Sequence, residues 1–306
     1  MAAVLKRLRL CSSGNISLYG IKSLQYKSTR IFCQVPCKLS CQRRLFSNKN
    51  MIVELDSNTG VAVIQMKKPP VNSLSLEFLT EFAINMEKLE MDRECRGVVL
   101  TSSIPKIFSA GLDINEMYRK TPEHTGEFWR AVQEMWLKLY GSNMVTIAAI
   151  NGASPAGGCL MALACDYRIM ADNPKYAIGL NETKLGIVAP FWFKDTMINV
   201  IGRRATDHSL QLGLMYSASE ALKIGLVDQL IAQDKIMTNA LSVMSEWLAI
   251  PDHARQITKS MMRKPTIDRL LTNRESDIQN FVNFISKDSI QKSLQLYLEM
   301  LKQRQS

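Results

Sequence analysis

The feature that most limits what this chain can fold into is the order of its apolar segments after residue 50. Met51–Asp56 and Val61–Met66 have the length and composition of strands and are separated by a Ser-Asn-Thr-Gly turn, which predicts a hairpin. Apolar residues then recur every three or four positions between Leu76 and Leu89, which predicts an amphipathic helix. A β-hairpin followed directly by a helix is typical of a mixed α/β protein.

The same alternation continues along the chain. Further segments are predicted as strands or helices in this order: strand Gly97–Ser102, helix 122–139, strand 144–150, a glycine-rich turn, helix 159–164 and strand Tyr167–Ala171. From Phe191 on, the pattern is mainly helical, with one short strand near 226–231. We therefore predict an α/β core in one domain over 47–306, with a helical C-terminal part over about 190–306.

Charge divides the sequence at residue 50. The 306 residues carry 38 basic and 28 acidic side chains, a formal net charge of +10. Ten of the basic residues and none of the acidic ones lie in 1–50, so 28 basic residues face 28 acidic ones in the remainder. A formally neutral body argues against a nucleic-acid-binding protein, although the basic start keeps that class open as an alternative.

The first 50 residues have the composition of an organelle transit peptide, because they are rich in Arg, Lys and Ser and lack acids. Arg43-Arg44-Leu45-Phe46-Ser47 resembles a mitochondrial processing site. We therefore predict a transit peptide over 1–46 and a location in the mitochondrial matrix. The alternative is a basic arm that binds nucleic acid or anionic lipid. No apolar stretch approaches the roughly 18–20 residues of a membrane helix, so no integral membrane segment is expected.

Cysteine and histidine usage gives no sign of a disulfide framework or a metal site. Four of the seven cysteines lie in the first 50 residues, and the whole chain has three histidines. A nucleophile elbow of the G-x-S-x-G type and a G-x-G-x-x-G dinucleotide fingerprint are both missing from the sequence. We therefore expect no metal site, and the sequence disfavours a dinucleotide cofactor.

Two loops of small residues carry the first chemical signal. Phe-Ser-Ala-Gly-Leu-Asp at 108–113 and Asn-Gly-Ala-Ser-Pro-Ala-Gly-Gly at 151–158 each follow a predicted buried strand and lead toward a helix. Glycine lets a ligand approach the backbone, and the first N–H groups of a helix have no partner within it. Two such loops could aim two backbone N–H groups at one oxygen, which is an oxyanion hole. The alternative is that the glycines serve turn geometry and packing.

Glu182 is the candidate acid or base. It lies in a mostly apolar segment, Ile-Gly-Leu-Asn-Glu-Thr-Lys-Leu-Gly, just before a second Gly/Pro turn. Apolar surroundings raise the pKa of a carboxyl group, which makes it a usable general base near neutral pH. The alternative is an exposed loop glutamate, or one paired with Lys184.

Together these three segments resemble the crotonase (enoyl-CoA hydratase/isomerase) superfamily. The S-A-G-x-D loop, the N-G-x-x-x-x-G-G loop with the Cys-Asp-Tyr-Arg-Ile-Met-Ala-Asp run after it, and the acidic segment ending at Gly186 have the family's order and spacing over about 52–264. The resemblance implies a crotonase fold of repeated ββα units with a helical C-terminal region, usually assembled as a homotrimer. It also implies an acyl-CoA thioester as substrate, with coenzyme A as part of that substrate and no further cofactor.

The resemblance also assigns roles to residues. It implies that the backbone N–H groups of Ala110 and Gly157 bind the thioester oxygen and that Glu182 is the catalytic carboxylate. The thioester site is expected to be lined by Ala110, Gly111, Leu112, Asp113, Ile114 and Gly157. Candidates for the acyl pocket, with core packing as the alternative, are Leu160, Phe191 and Trp192.

Leu160 indicates which reaction the family resemblance implies. Hydratases of the family carry a second glutamate at this position, whereas one carboxylate is enough to move a proton from C2 to C4. We therefore expect an isomerase that converts 3-enoyl-CoA to trans-2-enoyl-CoA. The alternatives are an enoyl-CoA hydratase or other crotonase-type acyl-CoA enzyme, and a non-catalytic acyl-CoA-binding protein.

Overall fold

The computed structural model describes residues 43–303. Its strands are β1 (Arg43–Ser47), β2 (Met51–Asp56), β3 (Val61–Met66), β4 (Ser73–Leu74), β5 (Gly97–Ser102), β6 (Lys106–Ile107), β7 (Gly111–Leu112), β8 (Val145–Ile150), β9 (Gly152–Pro155), β10 (Tyr167–Ala171), β11 (Ala177–Gly179), β12 (Tyr216–Ser217) and β13 (Gln229–Ile231). Its helices are α1 (Leu76–Met91), α2 (Pro122–Tyr140), α3 (Gly157–Ala164), α4 (Phe191–Leu212), α5 (Ala218–Lys223), α6 (Ile236–Leu248), α7 (Asp252–Thr272), α8 (Arg274–Ile285) and α9 (Asp288–Gln303).

A seven-stranded sheet forms the centre, in the order β1-β2-β3-β5-β8-β10-β13. Its first three strands are antiparallel, and β3, β5, β8, β10 and β13 run parallel. Parallel neighbours need long crossover connections, and the segments that contain α1, α2 and α3 provide the first three of these. Every residue of β5 and of β8 is buried, as expected for strands covered on both faces.

Two smaller sheets lie where the crossovers leave the central strands. One has the order β12-β11-β9-β6, and the other pairs β4 with β7. In the sequence, β6 and β7 follow β5, and β9 follows β8 directly. The small sheets therefore bring the loops at the carboxyl ends of β5 and β8 together.

The predicted hairpin, the helix after Leu76 and the predicted strands are confirmed. The C-terminal part is helical from Phe191, as expected. Two expectations were wrong. Gly152–Pro155 is not a turn but strand β9, because it pairs with β6 and β11, and Tyr216–Ser217 adds a strand that pairs with β11.

The predicted transit peptide lies mainly outside the described residues, which begin at Arg43. Its last residues form most of β1, which pairs antiparallel with β2 along five positions. Arg44 forms ion pairs with Asp92 and Glu94 at 2.9 and 2.8 Å. The cleavage position before Ser47 stays a prediction.

Asp166 fixes helix α7 to the central sheet. Its carboxylate accepts hydrogen bonds from Thr146 at the start of β8 and contacts Lys259 and Arg263 of α7 at 2.8 Å each. Burial alone would raise the pKa of Asp166, but these two cations and the hydrogen bonds hold it below its usual value. Burial in turn lowers the pKa of Lys259 to about 8.

No helix within 43–303 is long and apolar enough to cross a membrane.

Candidate active site

The two glycine loops predicted from the sequence lie against each other. Gly111 has a φ of +88°, and a Cβ atom built on it would lie 3.0 Å from the backbone nitrogen of Gly157 and 3.1 Å from the carbonyl oxygen of Pro155. Both the positive φ and the close approach would make a side chain at Gly111 strained. The glycine therefore permits the contact between the loop after β5 and the start of α3.

The start of α3 presents free N–H groups. Gly157 is its first residue, and the N–H of Leu160 is the first to bond within the helix, to the carbonyl of Ala156. The first N–H groups of a helix have no acceptor within it. Ala156, just before the helix, has the unusual φ of +48° and ψ of −122°. Backbone strain of this kind is concentrated at functional sites, where it fixes the direction of a neighbouring group.

The assignment of Ala110 as an oxyanion donor was wrong. Its N–H donates to the carbonyl oxygen of Val71 at 2.9 Å and is therefore occupied. Directly after β7, the N–H of Asp113 donates to the carbonyl oxygen of Leu74 in β4. Because N–H groups alternate in direction along a strand, that of Leu112 points away from β4.

The donor that the structure offers beside Gly157 is therefore Leu112. A Cβ atom built on Gly157 would lie 3.1 Å from the Leu112 nitrogen, so the two backbones are in close contact. Sequence reasoning placed Leu112 in the thioester site but gave the donor role to the residue two positions earlier. The pair of N–H groups best placed to bind one oxygen is that of Leu112 and Gly157.

The remaining residues of the first loop have separate tasks. Ala110, Leu112 and Ile114 contribute to the wall of a cavity beside the loop. Asp113 instead orders the backbone, because its carboxylate accepts hydrogen bonds from Asn115 and Ser73. Burial alone would raise the pKa of Asp113, but these hydrogen bonds and the nearby Lys68 hold it below its usual value.

Glu182 lies in the wall of the same cavity. It begins a short 3-10 segment, Glu182–Leu185, between β11 and α4. The residue is 8% exposed, and both of its carboxylate oxygens are buried without a hydrogen-bond partner. Burial raises the pKa of Glu182 from 4.5 to about 7. An exposed loop glutamate, or one paired with Lys184, does not describe this residue.

No second carboxylate borders the cavity in the part of the chain that the structure describes. The other lining side chains are apolar or aromatic, apart from Asn181 and the half-buried Tyr297 of α9. Trp129, Phe193 and Phe281 contribute rings from three different helices. A lone ionisable carboxylate in mainly apolar walls can move a proton, and the closely packed backbones of Leu112 and Gly157 offer N–H groups that could stabilise a negatively charged oxygen.

The three candidates for the acyl pocket lie elsewhere. Leu160 and Trp192 are fully buried in the core, and the ring of Phe191 is covered by the Arg269 guanidinium at 4.2 Å. Phe193, one residue after Trp192, lines the cavity in their place. The helical phase of α4 decides which of these neighbouring rings faces the cavity, and the sequence around Pro190 does not fix that phase.

Among residues 43–303, no group of three or more His, Cys, Asp or Glu side chains is arranged to hold a metal ion. The described cysteines, Cys95, Cys159 and Cys165, are buried and free. Burial raises the pKa of the Cys159 thiol well above its usual value, so it is a poor nucleophile.

Comparison with known proteins identifies the family of this chain. The sequence model of the enoyl-CoA hydratase/isomerase family matches residues 56–305, so the chain belongs to this family, the crotonase superfamily. It is 63% identical over 261 residues to mouse mitochondrial enoyl-CoA delta isomerase 1, covering 85% of this chain and 90% of the relative. The human protein of the same name is 61% identical over 260 residues, with coverages of 85% and 86%.

Solved structures show the same fold. The crystal structure of human mitochondrial Δ3-Δ2-enoyl-CoA isomerase superimposes with a TM-score of 0.83 at 61% identity, covering 84% of this chain and all of the other. An enoyl-CoA hydratase of Geobacillus kaustophilus superimposes with a TM-score of 0.67 at 27% identity, covering 84% and 97%. The predicted crotonase fold is confirmed.

Proposed function

We propose that this protein is a Δ3,Δ2-enoyl-CoA isomerase, which converts cis- or trans-3-enoyl-CoA to trans-2-enoyl-CoA. The observation that carries the proposal is Glu182, a buried carboxylate with no hydrogen-bond partner, in a mainly apolar cavity that Leu112 also lines, with the backbone of Gly157 packed against Leu112. The mouse and human relatives, both above 60% identity, are named as enoyl-CoA delta isomerases.

The reaction begins when the N–H groups of Leu112 and Gly157 bind the thioester oxygen. Ionised Glu182 takes a proton from C2, and the electron pair of that C–H bond moves into a dienolate whose negative charge rests on the bound oxygen. The protonated Glu182 then gives the same proton to C4, and the double bond forms between C2 and C3. No atom is gained or lost, and the carboxylate is regenerated. Backbone donors of this kind contribute about 100- to 1000-fold each to such reactions.

The cavity favours isomerisation over hydration. A hydratase has to orient a water molecule and also deliver a proton, for which family hydratases use two glutamates. In the described residues one carboxylate borders the cavity, and the position of the second is taken by the fully buried Leu160. An apolar cavity also holds little water that could add to the double bond.

The cellular setting follows from the relatives and from the leader composition. The mouse and human relatives are named as mitochondrial. We place the protein in the mitochondrial matrix, where a 3-enoyl-CoA isomerase serves the β-oxidation of unsaturated fatty acids. A homotrimer is part of this proposal and rests on the family resemblance. Its test is the mass of the protein in solution.

The decisive variant is Glu182→Gln, which keeps the size of the side chain and removes the base. We expect turnover of 3-enoyl-CoA to fall by about 100- to 10,000-fold, the usual contribution of a general base, with binding of a saturated acyl-CoA unchanged. The matched control is Glu87→Gln, which removes an exposed carboxylate of α1 that lies 3.5 Å from Lys138. Retained turnover in Glu182→Gln would refute the mechanism.

Two further assays separate the alternatives. A hydratase would add water to 2-enoyl-CoA faster than it isomerises 3-enoyl-CoA, which a direct comparison of the two substrates measures. A non-catalytic acyl-CoA-binding protein would bind the thioester in deuterated water without exchanging hydrogen at C2. Nucleic-acid binding by residues 47–306 no stronger than that of a neutral control protein would exclude the remaining class.

A further inference from the structure

Trp129 occupies a defined place in the wall of the cavity. It is 3% exposed and lies on α2, on the side of the cavity that it shares with Phe281 of α8. The two rings stack almost parallel, with 3.6 Å between their centroids and 8° between their planes. A stacked pair of large rings in an apolar wall limits the room for an alkyl chain.

The indole of Trp129 is also held at its edge. Its Nε1–H donates to Oδ2 of Asp277 at 2.8 Å. The same oxygen accepts from Nε2 of Gln133 at 2.8 Å and from Nε1 of Trp192 at 3.3 Å. One carboxylate oxygen therefore takes three donors from two different helices, and charged acceptors make stronger hydrogen bonds than neutral ones.

Helix α8 provides both residues that contact the indole of Trp129 in this way. Asp277 and Phe281 are four residues apart, so they lie on the same face of the helix. Phe281 fixes the face of the indole and Asp277 fixes its N–H. Together, these two contacts hold the indole of Trp129 in one orientation in the cavity wall.

We propose that Asp277 is a positioning residue that holds Trp129 as a wall of the acyl pocket and so sets the acyl chain length that the enzyme accepts. This inference rests on the proposed function, because it takes the cavity as the acyl site. One methylene more or less in an apolar pocket changes specificity by about tenfold or more. A wall that can rotate away therefore shifts the preference toward longer chains.

The test compares 3-hexenoyl-CoA with 3-dodecenoyl-CoA as substrates of the full chain. In Asp277→Ala we expect the ratio of kcat/KM for the long substrate to that for the short one to rise by about tenfold, through KM rather than kcat. Asp277→Asn keeps an acceptor oxygen and is expected to restore the ratio to within about twofold of the unsubstituted protein. Trp129→Phe, which shortens the wall and removes the donor, is the second variant in case Asp277→Ala does not fold, and should shift the ratio in the same direction.

The matched control is Thr196→Val. Thr196 accepts a hydrogen bond from Nε1 of Trp136 at 3.0 Å in the same aromatic cluster, but neither residue lines the cavity. This substitution should lower stability and leave the chain-length ratio unchanged. An equal ratio in all variants, or an equal loss for both substrates, would overturn the proposal.

Binding of saturated hexanoyl-CoA and dodecanoyl-CoA separates this proposal from the proposed function. If the relative affinities shift in Asp277→Ala but the unsubstituted protein shows no turnover, the result would support the role of Asp277 in positioning Trp129 and refute the isomerase activity. If the unsubstituted protein turns over 3-enoyl-CoA but the relative affinities do not shift in Asp277→Ala, the result would refute the role of Asp277 and support the isomerase activity. If the unsubstituted protein binds neither ligand, both proposals fail.

Discussion

Replacing Glu182 by Gln should change how stability depends on pH, independently of any substrate. Burial raises the pKa of Glu182 from its ordinary value of 4.5 to about 7. That difference corresponds to about 3 kcal/mol of unfolding free energy. Because the folded protein holds this proton more tightly than the unfolded chain, the stabilisation is complete below pH 4.5 and is lost as the pH rises through about 7.

The Glu182→Gln variant has no proton to lose at this position. The unfolding free energy of the variant minus that of the unsubstituted protein should therefore rise by about 3 kcal/mol between about pH 4.5 and pH 8. A buried amide without a partner costs about 1–3 kcal/mol, but this cost is the same at every pH and does not affect the change. The change with pH thus isolates the ionisation of one side chain.

Urea unfolding followed by tryptophan fluorescence at several pH values measures this difference. The control is the exposed Glu87→Gln, for which the plot of unfolding free energy against pH should run parallel to that of the unsubstituted protein. A parallel plot for Glu182→Gln as well would refute the assignment of Glu182 as a buried carboxylate without a partner. Glu182 would then be solvated or paired, and it would not be available as a base near neutral pH.

Three further outcomes are expected. The kcat/KM for 3-enoyl-CoA should rise with pH and level off above about 7, because the base has to be ionised; a flat profile would contradict the assignment of Glu182. Gly111→Ala should lower kcat by about 100- to 1000-fold, because the added Cβ pushes against the nitrogen of Gly157, and full activity would contradict the contact. Asp166→Asn should cost about 3–5 kcal/mol in urea unfolding, because Lys259 and Arg263 lose their buried counter-charge, and an unchanged midpoint would show that the cluster contributes little.

The elements that sequence patterns predicted well are those whose pattern is local. The hairpin of β2 and β3 and the helix after Leu76 follow from turn chemistry and from apolar spacing. Gly152–Pro155 has the composition of a turn, yet it forms a strand because β6 and β11 lie on either side of it. Pairing with segments distant in sequence is not visible in the composition of the segment itself.

In the candidate site, too, the features with a local sequence pattern were predicted, and those that depend on distant segments were not. Glu182 was identified as a carboxylate in an apolar segment, and the two glycine loops as small residues between a buried strand and a helix. The choice between Ala110 and Leu112 as donor depends on the direction of each N–H group, which the pairing of β7 with β4 decides. Trp129 and Phe281 belong to helices with ordinary amphipathic patterns, so no signal in the sequence separates them from core residues.

The position of Glu182 also limits the stereochemistry of the product. A single carboxylate, fixed in one wall of the cavity, reaches only one side of the planar dienolate. Under the proposed mechanism the hydrogen leaves C2 and arrives at C4 on the same side of that plane. We therefore expect suprafacial proton transfer, in which a substrate labelled stereospecifically at C2 passes its label to one prochiral position at C4.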